Sequence, residues 1–395
     1  MLQVEDLTID NRVGTCRLHD LLREVCLRKA KEEIGLEIVK GEEGFSSQSS
    51  YKPRHRVVYG KNIENRSTNQ NKHLRSLFLL NLNGDGNVYM TTPSDYWKSF
   101  QLLKMLDLDG FAFQRLPDSF RLLIGLKYLR IHRQRYFLRY VLKLPSWLKD
   151  LKNLEVLDVE NEVIVFPNVA LEMEKLRHFH IYSVLGKPMS IENWKNIESV
   201  KGMRLKDWLE CSSKLMASCR VRELGIHMNG MEGNKDLSMA SASLEKMTNL
   251  VELHLKCNSL LFNSNIIPQL GSITKLKLHG KMHGCPDASK FPPNLTHLTL
   301  EYAKLIKDPM PELGKLPKLQ YLKLSEYAYE HRSMKVLRDG FPRLKGLSLR
   351  NMFELRSIDI EEGGMPHLKH LQIHKCENLD AKNLWGHIKA ITMYN

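Results

Sequence analysis

One apolar pattern runs along most of this chain: three aliphatic or aromatic positions spaced L-x-x-L-x-L, repeated thirteen times between Leu74 and Ile373. The repeats begin at Leu74, Leu103, Leu126, Leu154, Leu176, Ile197, Val221, Leu250, Ile273, Leu295, Leu319, Leu344 and Leu368, 21 to 29 residues apart. Twelve triples are fully apolar; the one at Ile197 continues to Val200 and then meets Gly202. A single triple carries little information, because aliphatic residues are common. The regular spacing makes the signal specific. Strand alternation sends the apolar side chains of a triple to one side and the intervening ones to the other. In Leu250-Val251-Glu252-Leu253-His254-Leu255 the leucines point inward and Glu252 and His254 outward.

A period of roughly 20 to 29 residues with this internal spacing is that of the leucine-rich repeat. One such unit cannot bury its apolar side alone, so neighbours must stack. The expected fold is therefore α/β, a leucine-rich-repeat solenoid: a horseshoe with a parallel concave sheet and an irregular convex side, about 13 repeats over residues 53–395. Asn258 and Cys376 fall where a repeat needs a side chain to satisfy backbone groups at the turn. Ahead of the repeats, Leu2 and Val4 and then Val13 to Leu18 alternate around Asp10-Asn11, which suggests a hairpin. Leu18, Leu21, Leu22, Val25 and Cys26 follow at helical spacing, with Asp20 suited to the helix start. Residues 41–52, rich in Gly and Ser, read as a linker, and Arg56-Val57-Val58-Tyr59 as an edge strand leading into the first repeat.

Composition narrows the class. With 42% hydrophobic and 26% charged residues among 395, the chain can bury a core. No apolar run reaches the ~18 residues of a membrane span, and the acidic start Met1-Leu2-Gln3-Val4-Glu5-Asp6 is unlike a signal peptide. Seven scattered cysteines without a C-x-x-C pair fit reduced thiols. These features together point to a cytoplasmic protein.

The segment Gly14-Thr15-Cys16-Arg17-Leu18-His19-Asp20-Leu21-Leu22-Arg23-Glu24-Val25-Cys26, followed by irregular leucine-rich repeats, closely resembles plant nucleotide-binding leucine-rich-repeat disease-resistance proteins of the coiled-coil type. Glu361-Glu362-Gly363-Gly364-Met365-Pro366-His367-Leu368, with Cys376 beyond, looks like the final repeats of that family. The resemblance implies that residues 1–40 are the end of a winged-helix domain, whose Met-His-Asp motif is here Leu18, His19 and Asp20. In the family that histidine senses ADP at its phosphates, while the repeats fold back on the nucleotide-binding region and detect a pathogen effector or a guarded host protein. ADP or ATP would then belong to a full-length parent only. A phosphate loop G-x-x-x-x-G-K-[ST] is absent, since the four Gly-Lys pairs are followed by Asn, Pro, Met or Leu. No cofactor is expected for this chain itself, which reads as a truncated product or the C-terminal piece of a longer protein.

Charge adds a second feature. The formal net charge is +14, and residues 114–152 carry ten Lys/Arg against Asp118 and Asp150. Arg115, Arg121, Lys127, Arg130, Arg133, Arg135, Arg139 and Lys143 form the candidate docking patch, interleaved with Tyr128, Tyr136, Phe137 and Tyr140. Three readings stand: solvated surface, docking onto an acidic protein surface such as the nucleotide-binding region in cis or in trans, and, least favoured, single-stranded nucleic acid. Candidate recognition residues on the outward strand positions are Tyr128, Arg177, His180, His254, Lys277, His297, Tyr321, Lys323 and His374. The outward histidines lie in different or distant repeats, so no metal site is expected. No nucleophile elbow, zinc-protease helix or kinase signature is present, and the chain is expected not to be an enzyme. The alternative function is a cytosolic repeat scaffold or a ubiquitin-ligase substrate adaptor, unconnected with nucleotide switching.

Overall fold

The computed structural model describes residues 2–7, 13–18, 20–40, 52–60, 71–81, 96–111, 113, 115–132, 141–167, 173–186, 194–218, 220–228, 233–257, 261–380 and 390–394. Two strands, β1 (Leu2–Leu7) and β2 (Val13–Leu18), pair with each other as the alternation suggests. The turn at Asp10-Asn11 lies outside the described residues, as do Asn258 and residues 41–51 of the linker. Helix α1 (Asp20–Glu33) follows, but its apolar stripe is not covered: Leu21 is 74% exposed, and Leu22 and Val25 are also exposed.

The remaining described residues form two compact units, one ending at Arg220 and the next beginning at Val221. The first contains β3 (Leu36–Lys40), β4 (His55–Tyr59), β5 (Ser76–Leu80), β6 (Met105–Asp109), β7 (Tyr128–His132), β8 (Val141–Lys143), β9 (Val156–Val165), β10 (His178–Leu185) and β11 (Ser199–Arg204). Its ladder runs β3-β4-β5-β6-β7-β9-β10-β11, every pairing parallel, with β8 alongside the far end of β9. It closes with helix α2 (Leu205–Ser218).

The second unit contains β12 (Glu223–Met228), helix α3 (Asn234–Leu244), β13 (Glu252–Cys257), β14 (Lys275–His279), β15 (His297–Glu301), β16 (Tyr321–Ser325), β17 (Ser333–Val336), β18 (Gly346–Arg350), β19 (Ser357–Ile360), β20 (His370–His374) and β21 (Ala390–Tyr394). Its ladder is again all parallel, β12-β13-β14-β15-β16-β18-β20-β21, with β17 and β19 paired separately. This is the leucine-rich-repeat solenoid architecture that the spacing implies.

Register explains the triples. Leu253, Leu276, Leu298, Leu322, Leu347 and Leu371 are matched strand to strand, and all are buried. Each such side chain contributes about 1.5–3 kcal/mol by leaving water. Asparagines ahead of the inward positions fasten one repeat to the previous one: Asn153 Nδ2 donates to the Ile124 carbonyl at 2.9 Å, Asn294 to Gly271 at 2.7 Å and Asn378 to Phe353 at 2.6 Å. The imperfect triple at Ile197 also resolves. Gly202 has φ +85°, and a Cβ there would lie 2.2 Å from the Ile181 carbonyl oxygen. Glycine is required, and fully buried Met203 fills the core one position later.

The ladder starts earlier than the triples do, because two inward positions are charged. The segment read as an edge strand, Arg56–Tyr59, belongs to β4, which has β3 on one side and β5 on the other. Arg56 shares its register with Glu37 and Leu77, so it occupies a leucine position, and it is 1% exposed. Its Nε donates to Glu37 and its Nη1 to Asn71 Oδ1 at 2.7 Å, while Asn71 Nδ2 donates to Ser99 Oγ at 3.0 Å. Removing one member of a buried pair strands the other. Arg56→Ala is expected to cost about 3 kcal/mol in the first urea-unfolding transition. The double variant Glu37→Leu with Arg56→Leu should recover most of that loss.

Candidate functional site

Outward positions of the ladders form an open face in each unit, and here the candidate residues sit. In the first unit Phe78, Asp107, Arg130, Asp158 and His180 share one register row. Arg130 lies between two carboxylates, Asp107 at 3.3 Å and Asp158 at 3.9 Å. Burial pushes the Asp107 carboxyl up, and Arg130 opposes that shift. Burial, then Asp107 and Asp158, push the Tyr128 hydroxyl up. His180 Nε2 meets Ser199 Oγ at 2.8 Å. At the strand entry, Lys127 pairs with Glu155 at 2.6 Å and Arg177 with Glu198 at 2.8 Å.

These contacts divide the basic run. Counting charges along residues 114–152 misses Asp107, Glu155 and Asp158, which the register brings against Lys127 and Arg130. The Arg115 side chain is held by Asp118 at 3.2 Å, and its backbone forms an isolated parallel β-bridge with that of Lys143. Arg121 and Lys143 are exposed and make no ion pair among the described residues, so they carry the open charge of this edge together with exposed Lys149 and Lys152. Arg133, Arg135 and Arg139 lie outside the described residues.

The second unit's face is built from three register rows. The first runs Glu223, Glu252, Lys275, His297, Tyr321, Gly346 and His370. The second runs Gly225, His254, Lys277, Thr299, Lys323, Ser348 and Gln372; the third His227, Lys256, His279, Glu301, Ser325, Arg350 and His374. His297 stacks on Tyr321 with ring centroids 4.7 Å apart. His254 Nε2 lies 2.7 Å from Glu252 and 3.9 Å from Glu223, and one ring nitrogen and two carboxylate oxygens of these residues, a set able to ligate a metal, lie within 4.8 Å of one another. Lys275, 3.5 Å from Glu252, already supplies positive charge there. Burial would raise the Glu301 carboxyl, but the His279 hydrogen bond at 3.2 Å and Lys277 at 2.8 Å outweigh it and hold it well below the usual range. Burial, helped by Arg350 and Lys277, lowers the Lys323 ammonium.

An aromatic row bordering this face escaped the sequence pattern. His279 and Tyr302 are 4.9 Å apart, Tyr302 and Tyr327 6.5 Å, and Tyr327 and Phe353 5.4 Å, centroid to centroid. Tyr302 and Tyr327 follow the strands, beyond the last apolar position of each triple, at φ +54° and +57°. A recurring aromatic two to four residues after the triple was the available signal.

At the N-terminal end Leu18 closes β2 and Asp20 opens α1, exposed, while His19 lies outside the described residues. Three of the four glycines preceding lysine have their amides tied into the fold. The amides of Gly60, Gly280 and Gly314 donate to the Leu80, Glu301 and Met310 carbonyls at 3.0, 2.9 and 2.8 Å. They are committed to the ladder and a short helical turn rather than arranged around a phosphate.

A family model described as a leucine-rich repeat region matches residues 55–391. The chain belongs to the leucine-rich-repeat family. Among curated proteins it is similar to the Arabidopsis thaliana disease resistance protein RPH8A, 31% identical over 394 residues covering 96% of this chain and 42% of the relative. Disease resistance RPP8-like protein 3 of the same plant is 30% identical over 93% of this chain and 41% of its own length. The chain thus spans about two fifths of the relatives it matches, consistent with the resemblance to plant disease-resistance proteins. A solved leucine-rich-repeat protein of Leptospira interrogans shares the fold, with TM-score 0.53, 16% identity and coverage of 93% of this chain and 98% of that one. No helix among the described residues is long and apolar enough to cross a membrane.

Burial of one histidine in the third row predicts that stability depends on pH. Burial, then Lys256, His279 and His254, lower His227 to about 3. An unfolded chain takes up that proton near pH 6.5, so the stability from neutral His227 is full above that pH and is lost as pH falls toward 3. Urea unfolding at stepped pH should show a loss of a few kcal/mol across this window, and His227→Gln should remove the part of that loss between pH 6.5 and 4.5, leaving below it the loss that the depressed Glu301 carboxyl contributes.

Proposed function

We propose that this chain is the recognition and autoinhibition module of a plant nucleotide-binding leucine-rich-repeat resistance protein, acting in the defence response in the cytoplasm. The open face carries the proposal. Its solvent-facing rows are polar, aromatic and charged on a parallel ladder, a surface suited to binding another macromolecule. Similarity to disease-resistance proteins over nearly the whole chain supplies the biological setting.

Two contacts follow from this reading. The cationic edge at Arg121, Lys143, Lys149 and Lys152 docks onto an acidic surface of the nucleotide-binding region and holds the inactive state. The face of the second unit meets a pathogen effector or the host protein that the receptor guards. Residues 1–40 act as the end of the winged-helix domain, with Leu18, His19 and Asp20 completing a nucleotide-sensing motif only in the full-length parent. The uncovered Leu21, Leu22 and Val25 of α1 are consistent with packing against the rest of that domain. Nucleotide chemistry lies outside this chain.

The docking contact is tested by mixing this chain with a separately expressed nucleotide-binding region of a disease-resistance relative. Arg121→Glu with Lys143→Glu should weaken association on the order of tenfold, with a reduced salt dependence. Unchanged affinity in calorimetry would remove the electrostatic basis of the autoinhibitory contact. Arg130 is the poorer probe, because reversing it also sets a third carboxylate beside Asp107 and Asp158.

A further inference from the structure

We propose that the open face of the second unit is built to receive a carboxylate side chain of a partner protein, held by Lys323 and Arg350. This rests on the reading of that face as a protein-recognition surface and adds the chemistry of the partner at one place.

Charge matching is the first observation. Lys277, Thr299, Lys323, Ser348 and Gln372 form one row and His279, Glu301, Ser325, Arg350 and His374 the next, with Lys323 and Arg350 diagonal neighbours across adjacent strands. Glu301 is the one carboxylate among these ten positions, and Lys277 and His279 occupy it at 2.8 and 3.2 Å. Lys323 has no ion pair or hydrogen bond among the described residues. A half-buried ammonium without a direct ion pair is disfavoured, and an incoming anion relieves it.

Space and donors are the second. Lys323 stands between Thr299 and Ser348, both short, so its own row leaves room beside the ammonium. Ser348 is 0% and Ser325 1% exposed, and both hydroxyls are buried without a hydrogen-bond partner. Buried hydroxyls are ordinarily satisfied. Two such hydroxyls lie in the rows of Lys323 and Arg350, beneath the place where an anion would sit.

The surroundings favour a single carboxylate on a protein over a polyphosphate backbone. Glu301 and Glu326 act on Lys323 from nearby, and Glu223 and Glu252 lie farther along the same face. Such a mixed field repels a continuous polyanion but admits one negative group. Aromatic surface flanks the spot on both sides, the His297–Tyr321 stack on one and the Tyr302–Tyr327–Phe353 row on the other. Aromatic and arginine anchors around one charged contact are the make-up of a protein hot spot.

The test uses the full chain, immobilised and panned with random peptides displayed on phage. The proposal expects enriched peptides to carry an aspartate or glutamate beside an aromatic or aliphatic residue. The tightest of them, synthesised and labelled, should lose on the order of tenfold in affinity when its acid becomes the amide, and equally when the chain carries Lys323→Ala or Arg350→Ala. Lys323→Arg should keep binding, and circular dichroism should confirm that every variant is folded. Peptides without acidic bias overturn the proposal. So does affinity indifferent to Lys323→Ala and Arg350→Ala, or a single-stranded oligonucleotide that outcompetes the acidic peptide. If binding then depends on Tyr321→Ala instead, the face still recognises protein and only the carboxylate site fails; a selection that enriches nothing on this face overturns both.

Discussion

Parallel pairing in register is the constraint on which everything else in this molecule rests. No single repeat can bury three apolar side chains on its own, so each strand must lie beside the next with its leucines matched to theirs. Once Leu253, Leu276, Leu298, Leu322, Leu347 and Leu371 are fixed in one line, the residues between them are fixed in another line on the opposite side. Core and face are therefore set by the same register, and neither can shift by one position without exchanging roles.

That coupling also governs the electrostatics. A face residue has its nearest neighbours on adjacent strands, some 20 to 30 residues away in sequence, as Arg130 shows with Asp107 and Asp158 or Glu301 with Lys277 and His279. Charge patches on such a surface are properties of rows across the sheet. Lys127 and Arg130 are consequently well neutralised, whereas Arg121 at the edge and Lys323 within the second unit's face have no ion pair among the described residues.

The repeat architecture was legible because apolar spacing is a direct imprint of strand alternation. What the pattern missed had a physical cause each time. Glu37 and Arg56 take inward positions as an ion pair, so β3 and β4 do not look like repeats. Gly202 looks like a degraded repeat, although the close Ile181 carbonyl demands it. Alternation says which side chains face outward but not which of them meet, since pairing depends on which strand lies next door. Tyr302, Tyr327 and Phe353 went unseen because they sit past the last inward position, where the alternation ends.

Tyr302 and Tyr327 hold bulky side chains on left-handed backbone, a conformation costing on the order of 1–3 kcal/mol at each site. Glycine would relax the chain there, as it does at Gly110 and Gly280, but it would leave the border of the face without its rings. Backbone ease and an aromatic border thus pull in opposite directions at the same two codons. A version of this domain tuned only for robustness would lose the rings at the rim, and this chain keeps both tyrosines at the expense of conformational ease.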